Sequence, residues 1–315
     1  MTKILIDCDP GHDDAVAILT AARHGDLVGI TTVFGNASVE NTTRNALAIC
    51  ALGGLDIPVA RGFAGPFLGG TPAFAAAAHG RSGMDGAELP EPTRVPEAVH
   101  AVELIIETAR RHRGELVLAV IGAHTNVAVA LRLEPRLKDW LRAITIMGGT
   151  AGPGNVTPTA CINVYSDPEA AHVVFSSGVP ITWIGYELTR TVLMRRADIA
   201  RLQAGGRVAR ALGDLAEFYR QSYIRIYGID GAPMHEQDPV RQSACLTEIM
   251  GAHYETRARI GQRSDKALDR RACARVEVGG GLVQQQTDRR LSGGEQQRLA
   301  IARATAASPI CLLLD

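Results

Sequence analysis

The chain is short of lysine, has no closely paired cysteines and carries no surplus of charge. Each shortage removes a class of function. Its 33 basic and 33 acidic side chains cancel over 315 residues. No overall field therefore favours nucleic acid or a membrane surface as a partner. Only three of the basic residues are lysine, at 3, 138 and 266, an arginine bias that we read as genomic composition. The six cysteines, at 8, 50, 161, 245, 273 and 311, include no CxxC pair. With no signal-peptide pattern, this spacing leads us to expect a reducing cytoplasm and no disulfide framework. No apolar run approaches the ~20 residues needed to cross a bilayer. The dipeptide Gly-Lys does not occur, which excludes a GxxxxGK[ST] phosphate loop.

What is present is enough apolar material, 46% of residues, to bury a large core. Short β-branched runs alternate with Ala/Leu-rich periodic segments. The pattern predicts strands at 3–7, 27–33, 57–60, 116–121, 143–147 and 180–185. It predicts helices at 13–24, 38–53, 96–112, 125–132, 167–176 and 207–227. Such alternation predicts an α/β fold, an open, mostly parallel, Rossmann-like sheet with helices on both faces. The Gly/Pro/Ala-rich stretch 61–95 is longer than most connections, which marks it as a candidate active-site loop.

Asp7, Asp9, Asp13 and Asp14 lie within eight residues, where the first strand ends and the first helix begins. Four such acids repel unless a proton or a cation joins them. Hard oxygen ligands at this density suit Ca²⁺ or Mg²⁺. Capping the helix would occupy one acid and leave three unexplained. Polar or glycine turns follow other predicted strands: Phe34-Gly35-Asn36, Gly122-Ala123-His124-Thr125-Asn126 and Gly148-Gly149. In a parallel sheet all of them share one edge with the acids, the edge where ligands bind.

The motifs DCDPGHDDA (7–15), TTVFGN (31–36), TRNA (43–46), HGRSGM (79–84), HTNVA (124–128), LEPR (133–136), IMGG (146–149), GNVT (154–157), IN (162–163) and DPEAA (167–171) occur in this order. Together they resemble the inosine-uridine-preferring nucleoside hydrolases over 1–240, with an echo at 274–290. The resemblance implies Ca²⁺-dependent cleavage of the N-glycosidic bond of a ribonucleoside to free base and ribose. It implies a metal held by Asp9, Asp14, the main-chain carbonyl of Thr125 and Asp238, with Asp9 also the general base. Asp13, Asn36, Met147, Asn155 and Asn163 would line the ribose pocket, and His235 would serve the leaving base. The partner would be a small nucleoside, and the chain a homodimer or homotetramer.

The chain departs from that family's pattern at two places. Cys161 stands where a glutamate is common, and two extra residues separate His235 from Asp238. Leu291 to Arg298, followed by CLLLD at 311–315, resembles the signature and Walker B segments of an ABC-transporter ATPase. We therefore divide the chain into a hydrolase-like unit, 1–290, and an ABC-like fragment, 291–315, that is not an independent domain. Two other readings compete. Ile-Asp-Cys-Asp resembles the start of an Asp-nucleophile phosphohydrolase, but that chemistry needs a companion lysine, and lysine is scarce. A chimeric, non-catalytic product is the third reading.

Overall fold

The computed structural model describes residues 1–234 and the short strand Arg275–Val276. Nine strands and eleven helices are defined among the described residues. In chain order they begin with β1 (Lys3–Cys8), α1 (His12–His24), β2 (Asp26–Thr32), α2 (Val39–Gly53), β3 (Val59–Arg61), α3 (Ala76–His79), α4 (Ala101–Arg111), β4 (Leu116–Val120) and α5 (Thr125–Leu133). They continue with α6 (Leu137–Trp140), β5 (Ala143–Met147), α7 (Ile162–Tyr165), α8 (Pro168–Phe175), β6 (Ile181–Ile184), α9 (Tyr186–Thr189), β7 (Leu193–Met194), α10 (Arg196–Gln203), α11 (Arg207–Tyr227), β8 (Ala232–Pro233) and β9 (Arg275–Val276).

The main sheet has the order β3-β2-β1-β4-β5-β6-β9. Its first six strands pair in parallel, and β9 runs antiparallel against β6. The strand order reverses between β1 and β4, so the crevice outside their carboxyl ends is the switch point where doubly wound sheets bind ligands. The register sets the level of that edge. Asp7 lies beside Thr31 on one side and Val120 on the other, and Cys8 lies beside Thr32.

Alternation along the strands divides the core. Leu5, Leu116, Leu118, Val120, Ile144 and Ile146 pack with α4, α5, α6 and α8 on one face. Ile4, Ile6, Cys8, Ile30 and Ala119 pack with α1, α2 and α11 on the other. A third cluster seats Tyr219 and Tyr223 of α11 against α10 and the antiparallel β7–β8 pair. Residues 3–6, half-buried at Lys3 and apolar thereafter, match the buried-strand reading.

All six expected strands and all six expected helices occur, 143–147 and 207–227 with the expected bounds and the others with shifted ends. The largest shift is at the expected helix 96–112, which begins only at Ala101. His100 caps it, its Nδ1 accepting from the Val102 amide at 3.2 Å. The stretch 61–95 is irregular apart from the end of β3 and the single turn of α3. It is nonetheless tied down: Gly62 N donates to Thr32 O at 2.9 Å and Ala75 N to Gly35 O at 3.1 Å. No described helix is long and apolar enough to cross a membrane.

Candidate active site

The four acids end β1 and open α1, and all are buried. Asp14 occupies the first turn of α1, where the helix dipole favours an anion. Its Oδ2 accepts from Gly11 N at 2.8 Å and from Asn36 Nδ2 at 3.2 Å. The capping role thus falls to Asp14 within the acidic set.

Asp9 sits between two turns that close on it. Its Oδ2 accepts from Asn36 N at 2.7 Å, and its carbonyl from Asn36 Nδ2 at 2.9 Å. A Cβ on Gly35 would lie 2.0 Å from Asp9 Oδ2, and one on Gly122 would lie 2.7 Å from Asp9 Oδ1. Both turns therefore require glycine for close approach. Asp9 Oδ1 is buried without a hydrogen-bond partner among the described residues. Burial, with the charges of Asp14 and Asp13 adding to it, holds the Asp9 carboxyl well above the usual carboxylate range. A buried, unsatisfied carboxylate oxygen facing like charge fits a hard divalent cation. Among the described residues no three His, Cys, Asp or Glu side chains converge as a metal cluster. The described residues supply Asp9, Asp14 and the Thr125 carbonyl; Asp238 and His235 lie outside them, as do 241–273 and the ABC-like stretch.

Asp7 points into the sheet edge. Its Oδ1 accepts from Thr31 Oγ1 at 2.6 Å and Asn126 Nδ2 at 2.8 Å. Burial raises its pKa to about 7 against those two stabilising bonds. Thr125 opens α5, fully buried, and its hydroxyl donates to Asp167 Oδ2 at 2.5 Å.

The expected ribose residues fall into two groups. Asp13 and Asn36 adjoin Asp9 and Asp14, and Asn36 bonds to both. Around β5 the arrangement differs. Asn163 Nδ2 donates to Ile121 O at 2.8 Å and Met147 O at 3.1 Å. Met147 is buried with Cys161 and Tyr186 in a small apolar cluster. Asn155 Oδ1 accepts from Ile162 N at 2.9 Å and so holds the start of α7. The Cys161 thiol is fully buried, and burial pushes it up to about 11. That is the environment of an inert filler.

Beside the acids, His12 Nδ1 faces His79 Nδ1 at 3.0 Å, and His12 Nε2 donates to Asp85 O at 2.8 Å. With Nε2 as donor, a neutral His12 accepts at Nδ1 from His79. Tyr219, Tyr223 and Tyr227 continue from this pair along one face of α11, neighbouring rings 4.9 Å apart. Trp183, in β6, donates from its indole nitrogen to Gly148 O, just past β5.

Three organising residues escaped the sequence reading. Asp167 caps α8, taking Ala170 N at 3.0 Å on Oδ1 and Phe67 N at 2.7 Å on Oδ2. The Asp-Pro at a helix start was the available signal. Asn45, inside TRNA, donates to Pro10 O at 3.0 Å and Ser82 O at 2.9 Å. Asn126 spans the strand ends, and nothing in its local sequence announces long-range bonds.

The fold and the site define a doubly wound α/β protein with a cluster of buried acids at the switch point of its sheet. A family model, inosine-uridine preferring nucleoside hydrolase, matches residues 4–308, and the chain belongs to that family of ribonucleoside hydrolases. The pyrimidine-specific ribonucleoside hydrolase RihB of Escherichia coli K12 is 40% identical over 237 residues, covering 74% of this chain and 75% of that protein. Among solved structures, a purine-preferring ribonucleoside hydrolase from Gardnerella vaginalis superposes with TM-score 0.71 at 31% identity, covering 74% of this chain and 77% of that one. A plant nucleoside hydrolase, PpNRh1, gives TM-score 0.70 at 32% identity, covering 74% and 76%.

Proposed function

We propose that this enzyme uses one Ca²⁺ to hydrolyse the C1′–N bond of a ribonucleoside, releasing base and ribose. The carrying observation is Asp9, clamped between two glycine turns with one buried oxygen unsatisfied, beside Asp14 at the switch point. Asp9, Asp14, the Thr125 carbonyl and Asp238 would hold the ion, which when bound would supply positive charge to orient the ribose and the attacking water.

Asp9 takes a proton from the water as its oxygen bonds to C1′, a contribution of ~10²–10⁴-fold. The bond to the base breaks with the electron pair leaving on nitrogen, through a transition state resembling a ribosyl cation. His235 supplies the proton that the leaving base takes up. Asn36 orients both acids, and Asp13 adjoins them to bind ribose. Asn163, Met147 and Asn155 shape the β5 side of the pocket, where their described bonds favour a supporting part over direct contact.

The catalytic unit is 1–290; the ABC-like stretch 291–315, which overlaps the end of the family match, carries no ATP chemistry. The three described cysteines, Cys8, Cys50 and Cys161, are free and buried, which supports a cytoplasmic setting. Lys3 pairs with Asp26 at 2.9 Å at the amino end of β1, opposite the acids, which weighs against a phosphohydrolase. Relatives differ in base, pyrimidine-specific in one name and purine-preferring in another, so the proposal is made for ribonucleosides as a class. The test is ribose release from inosine, uridine and cytidine, with and without EGTA. We expect release from at least one, abolished by EGTA. No ribose from any of the three in calcium-replete folded protein refutes the reading.

A further inference from the structure

We propose that Asn126 is a positioning residue that sets the carbonyl of Thr125, a calcium ligand in the proposed function, by locking it to the ends of four adjacent strands. The inference rests on the calcium reading above. Asn126 is fully buried in the first turn of α5, just after β4. Its Nδ2 donates to Asp7 Oδ1 at 2.8 Å, at the end of β1, and to Thr32 O at 3.0 Å, at the end of β2. Its Oδ1 accepts from Phe63 N at 3.0 Å, just past β3. Both amide protons and the oxygen are thus used, each on a different stretch. Those strands are contiguous in the sheet, in the order β3-β2-β1-β4.

The slot leaves no slack. A Cβ on Gly62 would lie 2.2 Å from Asn126 Oδ1 and 2.5 Å from Nδ2. Asparagine side chains near a helix start often bond to nearby backbone, whereas these bonds all go to distant segments. Thr125 is held from the other side as well. Its hydroxyl shares Asp167 Oδ2 with the Phe67 amide, at 2.5 and 2.7 Å. Both holds end on the segment 63–67. Asp7 acts through Asn126: its Oδ1 receives the amide while Thr31 fixes the same oxygen at 2.6 Å. Calcium affinity and the order of 63–67 are therefore coupled.

Calcium titration calorimetry and calcium-free melting of Asn126→Ala test this. Calcium binding weakens by roughly 10–100-fold, as for removal of groups that orient metal ligands. A lowered melting temperature with unchanged calcium affinity means a structural part only and overturns the proposal. If Asn126→Ala does not fold, Asn126→Ser is measured in its place with the same criteria. Hydrogen exchange of the wild-type Phe63 amide gives an independent readout. Calcium slows it if the coupling holds, and an unchanged rate overturns it. A wild-type chain that binds no calcium removes both this inference and the calcium reading. Binding by the wild type and by the variant with equal affinity removes this one alone.

Discussion

His124 closes the turn after β4 and is fully buried, with neither ring nitrogen in a well-formed hydrogen bond among the described residues. Its nearest aromatic neighbour is Phe175, ring centroids 6.0 Å apart. Burial lowers its pKa from 6.5 to about 4, against a weaker backbone contact of Asn163 that raises it. The folded pKa lies below the unfolded one, so the unfolded chain takes the proton first as pH falls. The stability at stake is full above pH 6.5 and is lost as pH falls from 6.5 toward 4. At ~1.36 kcal/mol per tenfold difference in proton affinity, the gap between 6.5 and about 4 makes this about 3 kcal/mol. His124→Leu keeps a side chain of similar bulk and removes the titration. At pH 7.5 the variant equals or exceeds the wild type by about 1 kcal/mol, because an unsatisfied polar ring is gone. By pH 4.5 the gap widens to about 3 kcal/mol. Urea denaturation of both proteins at pH 7.5, 6 and 4.5 measures it, and groups titrating in both cancel in the difference. A gap that stays constant from pH 7.5 to 4.5 refutes the reasoning.

Three further outcomes are expected. Asp9→Ala loses calcium binding and ribose release together, the rate by roughly 10²–10⁴-fold; full activity by ribose assay removes Asp9 from the mechanism. Gly35→Ala places a Cβ against Asp9 Oδ2 and costs roughly 10²-fold in rate through misplacement of the base, with circular dichroism unchanged; wild-type turnover contradicts the crowding. In chelator, the stability of the wild type relative to Asp7→Asn falls as pH rises from 4 to 7, because Asp7, raised to about 7, is protonated in the folded state and ionised in the unfolded one. The loss in that difference is up to about 4 kcal/mol, and the opposite contribution of His124 is common to both proteins and cancels. A difference that is flat across this range counts against it.

The alternation of apolar runs was enough to place six strands and six helices, because period-2 and period-3.6 patterns follow directly from which side chains meet the core. It was also enough to bring Asp9, Asn36 and Thr125 to one edge, since parallel strands put all their carboxyl ends on the same side. The ends of elements were less legible: His100 displaced a helix start by capping it. The hydrogen bond of Asn155 to the start of α7 and the apolar cluster around Met147 were not legible either. An asparagine in a glycine loop reads the same whether it holds a helix start or meets a sugar, and a methionine ending a strand reads the same buried or lining a pocket.

The acid cluster, its position where a strand meets a helix and the family motifs were properties of the sequence alone, because each depends on neighbours along the chain. The clamp on Asp9 was decided only by tertiary structure. Gly35 and Gly122 come from turns separated by nearly the whole first half of the fold, and only the register of β2 and β4 against β1 brings both onto one carboxylate. The same holds for Asn126, whose partners at Asp7, Thr32 and Phe63 are neighbours only because strand order places four ends side by side.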